Sequence, residues 1–462
     1  LITLIKNARH IITFKNDELL SLTGDILIEG NRLAVVGGEV KAHADKVIDA
    51  KDKLVIPGLV NTHHHLYQTF QRNVPLVQDV ELFPWLRALY QVWRFIDPEV
   101  VYWSALLGLG ELLKTGCTTT TDHFYVFPKG VDLKLIDAEI EAAKKLGIRF
   151  QPCRGSMSLG ESMGGLPPDD VVQDEDTIML DCERLISSFH DPSPFSLLRI
   201  SLAPCSPFSV STELLKLTAE FGRKMGVRLH THLAETRNEE EYCLSRFGMR
   251  PLEYLDSTGW LGENVWFAHC VYLNKQELRK MRDAGAKVAH CPTSNMRLGS
   301  GVAPVPIMLE MGIDVGLAVD GSASNDSSNM LGELRSCLLV HKLTSGASSL
   351  GAKQVFKMAT VGGAKVLGFP EIGTLEPGKA ADLVIIDLNQ LGYAGAQSDP
   401  LAALIYCGDS HIVEHTIVNG EIIVERGKLV RAKEEEIIQQ ANKLSSLMLE
   451  KAEKLTGLRY RG

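Results

Sequence analysis

Among the nine cysteines of this 462-residue chain there is no Cys-x-x-Cys pair, and an odd number of scattered thiols does not make a disulfide framework. Reduced cysteines in a cytoplasmic protein are therefore expected, which fits the lack of a basic, apolar, small-residue leader ahead of the first strand. No apolar run approaches the roughly 20 residues that a membrane helix needs, so no membrane partner is expected. Basic runs with interleaved aromatics are also missing, and 48 basic against 57 acidic residues leave a net charge of -9. That balance disfavours a nucleic-acid surface and favours a small-molecule partner. A hydrophobic content of 45% and a charged content of 23% are ordinary for a globular protein.

What the sequence does have is a pivot at Ile56-Pro57-Gly58-Leu59-Val60-Asn61-Thr62-His63-His64-His65. The apolar run reads as a strand buried on both faces, and the histidines that end it lie where a parallel barrel keeps its chemistry. Because side chains alternate along a strand, His63 and His65 share one face and can share a metal.

Before this pivot, Ile2 to Lys6, Ala8 to Thr13, Asp25 to Glu29 and Arg32 to Val36 read as short strands separated by turn signals. The pattern returns at Ala381 to Ile386, His411 to Val418 and, after Asn419-Gly420, Glu421 to Val424. The two ends are expected to pair into one β-sandwich. Between them eight strand-like runs alternate with helix-length amphipathic segments: Leu54 to Asn61, Thr118 to Asp122, Ile148 to Cys153, Arg199 to Pro204, Val227 to His232, Val265 to His269, Ala286 to Cys291 and Asp314 to Asp320. This is an α/β chain whose repeated βα units close naturally into a (β/α)8 TIM barrel, although pattern alone also fits an open doubly wound sheet. The expected division is 1–56 and 370–432 for the two parts of the sandwich, 57–369 for the barrel, and 433–462 for a C-terminal helix packed outside. Met157 to Gln173, rich in Gly and Pro, reads as a long loop over the barrel mouth.

Polar residues recur at the strand ends: His63 and His65, Asp122 and His123, Arg154, then His230, His232 and Glu235, His269, His290 and Asp320. A lone strand histidine is more often a hydrogen-bonded core residue. Several at converging ends would need many partners to offset desolvation, and one divalent ion satisfies several of them together. A His-x-His pair with a later His and Asp suits a catalytic zinc-type site, with iron and manganese as alternatives. On spacing alone either His230 or His232 serves as the later histidine. Glu235, just beyond the strand end, is placed to shuttle protons without occupying the metal.

These residues resemble the amidohydrolase superfamily, in its chlorohydrolase and nucleobase-deaminase branch, over essentially the whole chain. The resemblance rests on Pro57 to His65, His230-Thr231-His232-Leu233-Ala234-Glu235-Thr236, Ala268-His269-Cys270, His290-Cys291-Pro292-Thr293-Ser294-Asn295 and Val319-Asp320-Gly321-Ser322-Ala323-Ser324-Asn325-Asp326. It implies a barrel carrying a composite β-sandwich and one zinc ion held by His63, His65, His232 and Asp320. It further implies that Asp320 takes a proton from the attacking water, that Glu235 passes a proton to the ring nitrogen and the leaving amine, and that His269 orients the attacking group. Leu82 to Leu86, Arg154 to Gly160 and Leu202 to Ser209 resemble members acting on an oxidised purine base, 8-oxoguanine foremost, to give urate and ammonia. A hydroxyatrazine-type triazine, losing an alkylamine, is the alternative, and a non-catalytic barrel scaffold stands well behind both. Nucleoside deaminases of the branch carry a substrate-contacting histidine where this chain has Cys205, which disfavours nucleosides. Gln68, Trp85, Arg154 and Cys205 are the candidate ring contacts, and a homo-oligomer is expected.

Overall fold

The computed structural model describes residues 1–462, and in it the alternating strands and helices form a parallel barrel. Its strands are Leu59–Asn61, Cys117–Phe124, Arg149–Ser156, Ser201–Pro204, Leu229–Leu233, Val265–His269, Lys287–His290 and Val315–Leu317, hydrogen-bonded in chain order. Consecutive order rules out the doubly wound sheet, in which the order reverses at a switch point. The seam between the first and eighth strands is bridged by a few specific bonds: Thr62 N and Oγ1 both donate to the Leu317 carbonyl at 3.1 Å, Val319 N donates to Asn61 Oδ1 at 2.9 Å, and Asp320 N donates to the His63 carbonyl at 3.1 Å. Residues beside and within the histidine cluster thus close the barrel.

The outer helices follow from local chemistry. In Thr212–Met225 the Ser211 side chain accepts from Leu214 N at the start, and Gly226 takes the left-handed conformation at the end. Its buried residues, Leu214, Leu215, Thr218, Ala219 and Gly222, recur at the spacing of one helical face. Lys275–Ala284 begins with a capping box from Asn274 and Glu277 and also ends on a left-handed glycine. Each leucine that such a face buries contributes about 1.5–3 kcal/mol, so packing and not propensity holds these helices to the barrel.

The chain ends build a second sheet of nine strands. Leu383–Asp387 pairs antiparallel with Lys53–Pro57, from Leu383 opposite Pro57 to Asp387 opposite Lys53, which joins the two ends of the chain. One expectation needs correction here, because the run Leu54 to Asn61 is not one strand. Lys53–Pro57 belongs to this second sheet and Leu59–Asn61 to the barrel, with Gly58 between them. A Cβ on Gly58 would lie 2.0 Å from Thr118 Oγ1, so the chain can change sheets against the second barrel strand only without a side chain. The N-terminal strands Ile2 to Lys6 and Ala8 to Thr13 are likewise one strand, Ile2–Lys15, with register shifts around Ala8 and Asn7 at φ 61°.

The C-terminal helix Glu434–Thr456 buries Ile437, Ala441, Leu444, Met448 and Ala452, and Ser445 Oγ donates to the Phe70 carbonyl at 2.5 Å. No helix is long and apolar enough to cross a membrane. Barrel and second sheet are clasped by a buried ion pair. Arg149 at the start of the third barrel strand donates through Nε and Nη2 to both oxygens of Asp382, each at 3.0 Å, and Asn419 N donates to the same carboxylate at 2.7 Å. Both side chains are almost inaccessible, so removing one partner leaves an uncompensated buried charge. Asp382→Asn is expected to destabilise the protein by about 3–5 kcal/mol, read as a fall in the urea midpoint.

Candidate active site

The centre is best understood through its protons. His65 Nδ1 donates to the His123 carbonyl at 2.7 Å, and His232 Nδ1 donates to the Cys205 carbonyl at 2.6 Å. A carbonyl can only accept, so each ring is the Nδ1–H tautomer with a bare lone pair on Nε2. His230 Nδ1 donates to the Trp266 carbonyl at 2.9 Å, so its Nε2 must accept from His63 Nδ1 at 2.7 Å, and His63 Nε2 is also bare. Of the two histidines of the fifth strand, His230 therefore hydrogen-bonds to His63, and His232 turns its bare nitrogen toward His65.

The three lone pairs meet one another and a carboxylate. His65 Nε2 lies 3.2 Å from His232 Nε2, while His63 Nε2 and His65 Nε2 are each 3.4 Å from Asp320 Oδ1. His63 Nε2 has no hydrogen-bond partner. Burial holds all three imidazoles below their ordinary pKa, His63 and His232 well below, so extra protons do not fill the gap. A buried set of three nitrogen lone pairs and one carboxylate oxygen fits a divalent cation of the zinc type. The buried His290, Cys337 and His341 make an instructive contrast. Their two Nε2 atoms are 3.0 Å apart, but both Nδ1 atoms lack any acceptor, so nothing fixes these rings as ligands.

Around the cage stand the groups expected to move protons. His269 Nε2 is 3.4 Å from Glu235 Oε2 and 3.8 Å from Asp320 Oδ2, and its Nδ1 donates to Asn295 Oδ1 at 2.9 Å. Ser294 Oγ donates to Asp320 Oδ2 at 2.6 Å, and Gly321 N donates to Asp320 Oδ1 at 2.6 Å. Burial, with Asp320 and Glu239 adding to it, pushes the Glu235 carboxyl up to about 7 although His269 pulls the other way. Burial opposes charge on His269, yet the Glu235 and Asp320 carboxylates hold its pKa above the ordinary value. Ala234, His269, Cys270 and Asp320 all have left-handed backbones, at φ 51°, 71°, 54° and 64°. Such strain costs about 1–3 kcal/mol per residue and persists only where surrounding contacts impose it.

The pocket above the cage has an apolar wall of Leu82, Trp85, Leu86, Phe208 and Leu298, with Gln68, Tyr125, Cys205 and Ser324 among its other lining residues. Gln68 Oε1 is buried without a partner, whereas Trp85 Nε1 donates to the Ala323 carbonyl at 3.3 Å and leaves only its ring for a ligand. Burial pushes the Cys205 thiol up to about 12, so it lines the pocket as a neutral group. The long loop after the third strand packs on this wall, with Leu166 N donating to the Phe208 carbonyl at 3.1 Å. Arg154, expected as a ring contact, is held elsewhere: Nε donates to Asp181 Oδ2 at 2.6 Å, Nη2 donates to Gln173 Oε1 at 2.8 Å, and the guanidinium lies 3.9 Å from the Phe127 ring centre. Its side chain turns toward the helix Glu175–Phe189, and it ties down the end of that loop. Asp122 and His123 are also framework groups: Asp122 Oδ1 accepts from Leu66 N at 2.5 Å, and His123 Nε2 donates to the Ala203 carbonyl at 2.7 Å.

Other contributors carried no signal of their own. Glu333, fully buried on the helix Met330–Ser345, accepts from Thr293 N and Asn325 Nδ2, both at 2.9 Å. It braces the short helix Pro292–Arg297, which holds Ser294 and Asn295, against the short helix Ser322–Asn325 that follows Asp320. Tyr125, Phe208 and Leu298 reach the pocket from loops and turns, and Ser324 from the short helix Ser322–Asn325, whose paths a strand pattern does not specify.

Residues 54–423 match the Amidohydrolase family. The chain is 45% identical over 408 residues to the 8-oxoguanine deaminase of Pseudomonas aeruginosa, covering 88% of this chain and 90% of that one. It is 37% identical over 402 residues to a hydroxydechloroatrazine ethylaminohydrolase of a Pseudomonas species, covering 86% and 83%. The crystal structure of an atrazine chlorohydrolase from Arthrobacter aurescens complexed with zinc superposes with a TM-score of 0.91 at 36% identity, covering 96% of this chain and 100% of that one. With a family match spanning both the barrel and the strands that pair its ends, this chain belongs to the amidohydrolase family.

Proposed function

We propose that this protein is a zinc-dependent aminohydrolase that deaminates 8-oxoguanine to urate and ammonia. The observation that carries the reading is the cage of three fixed Nε2 lone pairs and Asp320, with Glu235 and His269 beside it, opening into an apolar pocket. His63, His65, His232 and Asp320 would hold the zinc, which when bound lowers the pKa of a water to about 7 and so supplies a nucleophile at neutral pH. Asp320, steadied by Ser294 and Gly321, faces this position and accepts the proton that the water gives up. Glu235, whose raised pKa lets it carry a proton near neutrality, delivers that proton to the ring nitrogen as the amidine carbon becomes tetrahedral. His269, held by Asn295, keeps the attacking group aligned between the two carboxylates. The carbon–nitrogen bond then breaks as the new hydroxyl passes its proton through Glu235 to the amine, which leaves as ammonia; the hydroxyl becomes the carbonyl, and the proton held on Asp320 returns to Glu235.

The substrate rests on two supports: the similarity to an 8-oxoguanine deaminase, and a pocket wall of apolar side chains with a neutral thiol at Cys205. Gln68, with its unpartnered buried oxygen, would accept a ring N–H, and Trp85 would cover a ring face.

Three measurements test this reading. Zinc-loaded protein should release ammonia from 8-oxoguanine faster than from guanine, isoguanine or adenosine. Release of ethylamine from hydroxyatrazine instead would move the assignment to a triazine aminohydrolase, and inertness toward every aminopurine and aminotriazine would end it. Glu235→Gln should keep its zinc and its fold while kcat falls about 10²–10⁴-fold, with metal content measured beside ammonia release; loss of zinc in this variant would count against Glu235 as a proton carrier outside the cage. His230→Ala removes the acceptor that fixes the His63 tautomer and should weaken zinc retention about 10–100-fold, read by competition with a chromogenic chelator.

A further inference from the structure

Glu239 is a buried carboxylate with no arginine, lysine or histidine within ion-pairing distance. It lies in the first turn of the helix Arg237–Phe247, where Thr236 forms the N-cap and accepts from Glu239 N at 3.4 Å. In a capping box the third helical residue turns its side chain back to the cap's own amide. Here it reaches further: Glu239 Oε1 accepts from Ala234 N at 2.8 Å, and Oε2 accepts from Glu235 N at 2.9 Å. The two oxygens thus bridge consecutive amides, one of them on a residue in the left-handed conformation. The neighbouring contacts complete the clamp, because Tyr272 N donates to the Ala234 carbonyl at 2.9 Å and Cys270 N donates to the Leu233 carbonyl at 3.0 Å.

A carboxylate buried without a counter-ion is costly, and helix capping alone does not require one, since Gln serves as well at that position. Holding two adjacent amides with one side chain does require it, because only a carboxylate offers two acceptor atoms, whereas an amide turns an NH2 against one of the two donors. We propose that Glu239 is a positioning residue: its carboxylate holds the strained Ala234–Glu235 backbone so that the Glu235 side chain faces His269 and the reacting ring.

This inference rests on the proposed role of Glu235, so the test includes a readout that needs no turnover. In Glu239→Gln, kcat should fall about 10–100-fold while KM and zinc content stay within twofold to threefold of the wild type. In parallel, hydrogen exchange of the peptide spanning Leu233 to Thr236 should lose protection. Glu239→Asp keeps the charge with a shorter reach and should give intermediate values of both, which covers the case in which the amide variant folds poorly. Glu277→Gln, which keeps the capping box of the helix Lys275–Ala284 but breaks the ion pair of Glu277 with Arg250, should lower the melting temperature without lowering kcat. Wild-type exchange at Leu233 to Thr236 in Glu239→Gln would overturn the inference, and so would unchanged kcat. Protein inert toward every base would refute the proposed function alone, and the exchange measurement would still decide the role of Glu239.

Discussion

Three imidazole lone pairs pressed together in a dry space are repulsive on their own, and much of this protein can be understood as the framework that enforces that arrangement. Each Nδ1 proton is committed to a different strand: His65 to the second, His232 to the turn after the fourth, and His63, through His230, to the sixth. The cage therefore exists only when those strands are in register. The same is true of the barrel seam, where Asp320 donates its backbone amide to His63 while its side chain faces the same ring. Closing the barrel and assembling the cage are one event.

Buried charge is distributed according to that demand. Arg149 and Asp382 clasp the two sheets far from the mouth, Arg154 and Asp181 hold a long loop, and Glu239 and Glu333 grip backbone amides near the reacting groups. Burying each of these charges costs desolvation that its hydrogen-bonded partners offset. What the two glutamates add is direction: Glu239 holds the amide of Ala234, whose backbone is left-handed, and Glu333 joins Thr293 to Asn325.

Legibility in the sequence followed how local each determinant is. The barrel was legible because two-fold and 3.6-residue periodicities survive in every unit, and His63, His65, His232, Glu235, His269 and Asp320 stand in recognisable motifs at or just beyond strand ends. The run Leu54 to Asn61 misled because an apolar strand reads alike in either sheet, and only the contact of Gly58 with Thr118 shows where the chain passes from one to the other. Arg154 misled for a related reason: a strand-end position indicates proximity to the mouth, but the direction of its side chain was decided by Asp181 on the following helix. Glu239 had a local signature in Thr236-x-x-Glu239, which marks a helix start without showing that the carboxylate reaches past the cap. Glu333 had none, since its partners Thr293 and Asn325 lie on two short helices that come together only in the closed barrel.

By itself the sequence determined which chemistry is available: histidines two apart at one strand end, an aspartate at another, and a glutamate just beyond a third, with enough periodic apolar residues to bury them. Periodicity and motif spacing are properties of a few neighbouring residues, so they can be read along the chain. Only the tertiary structure decided which nitrogen of each ring is bare, that His230 orients while His232 faces the centre, and that Arg154 leaves the pocket to apolar walls and Gln68. Those outcomes depend on carbonyls and carboxylates tens to hundreds of residues away, whose direction is set when the strands come into register.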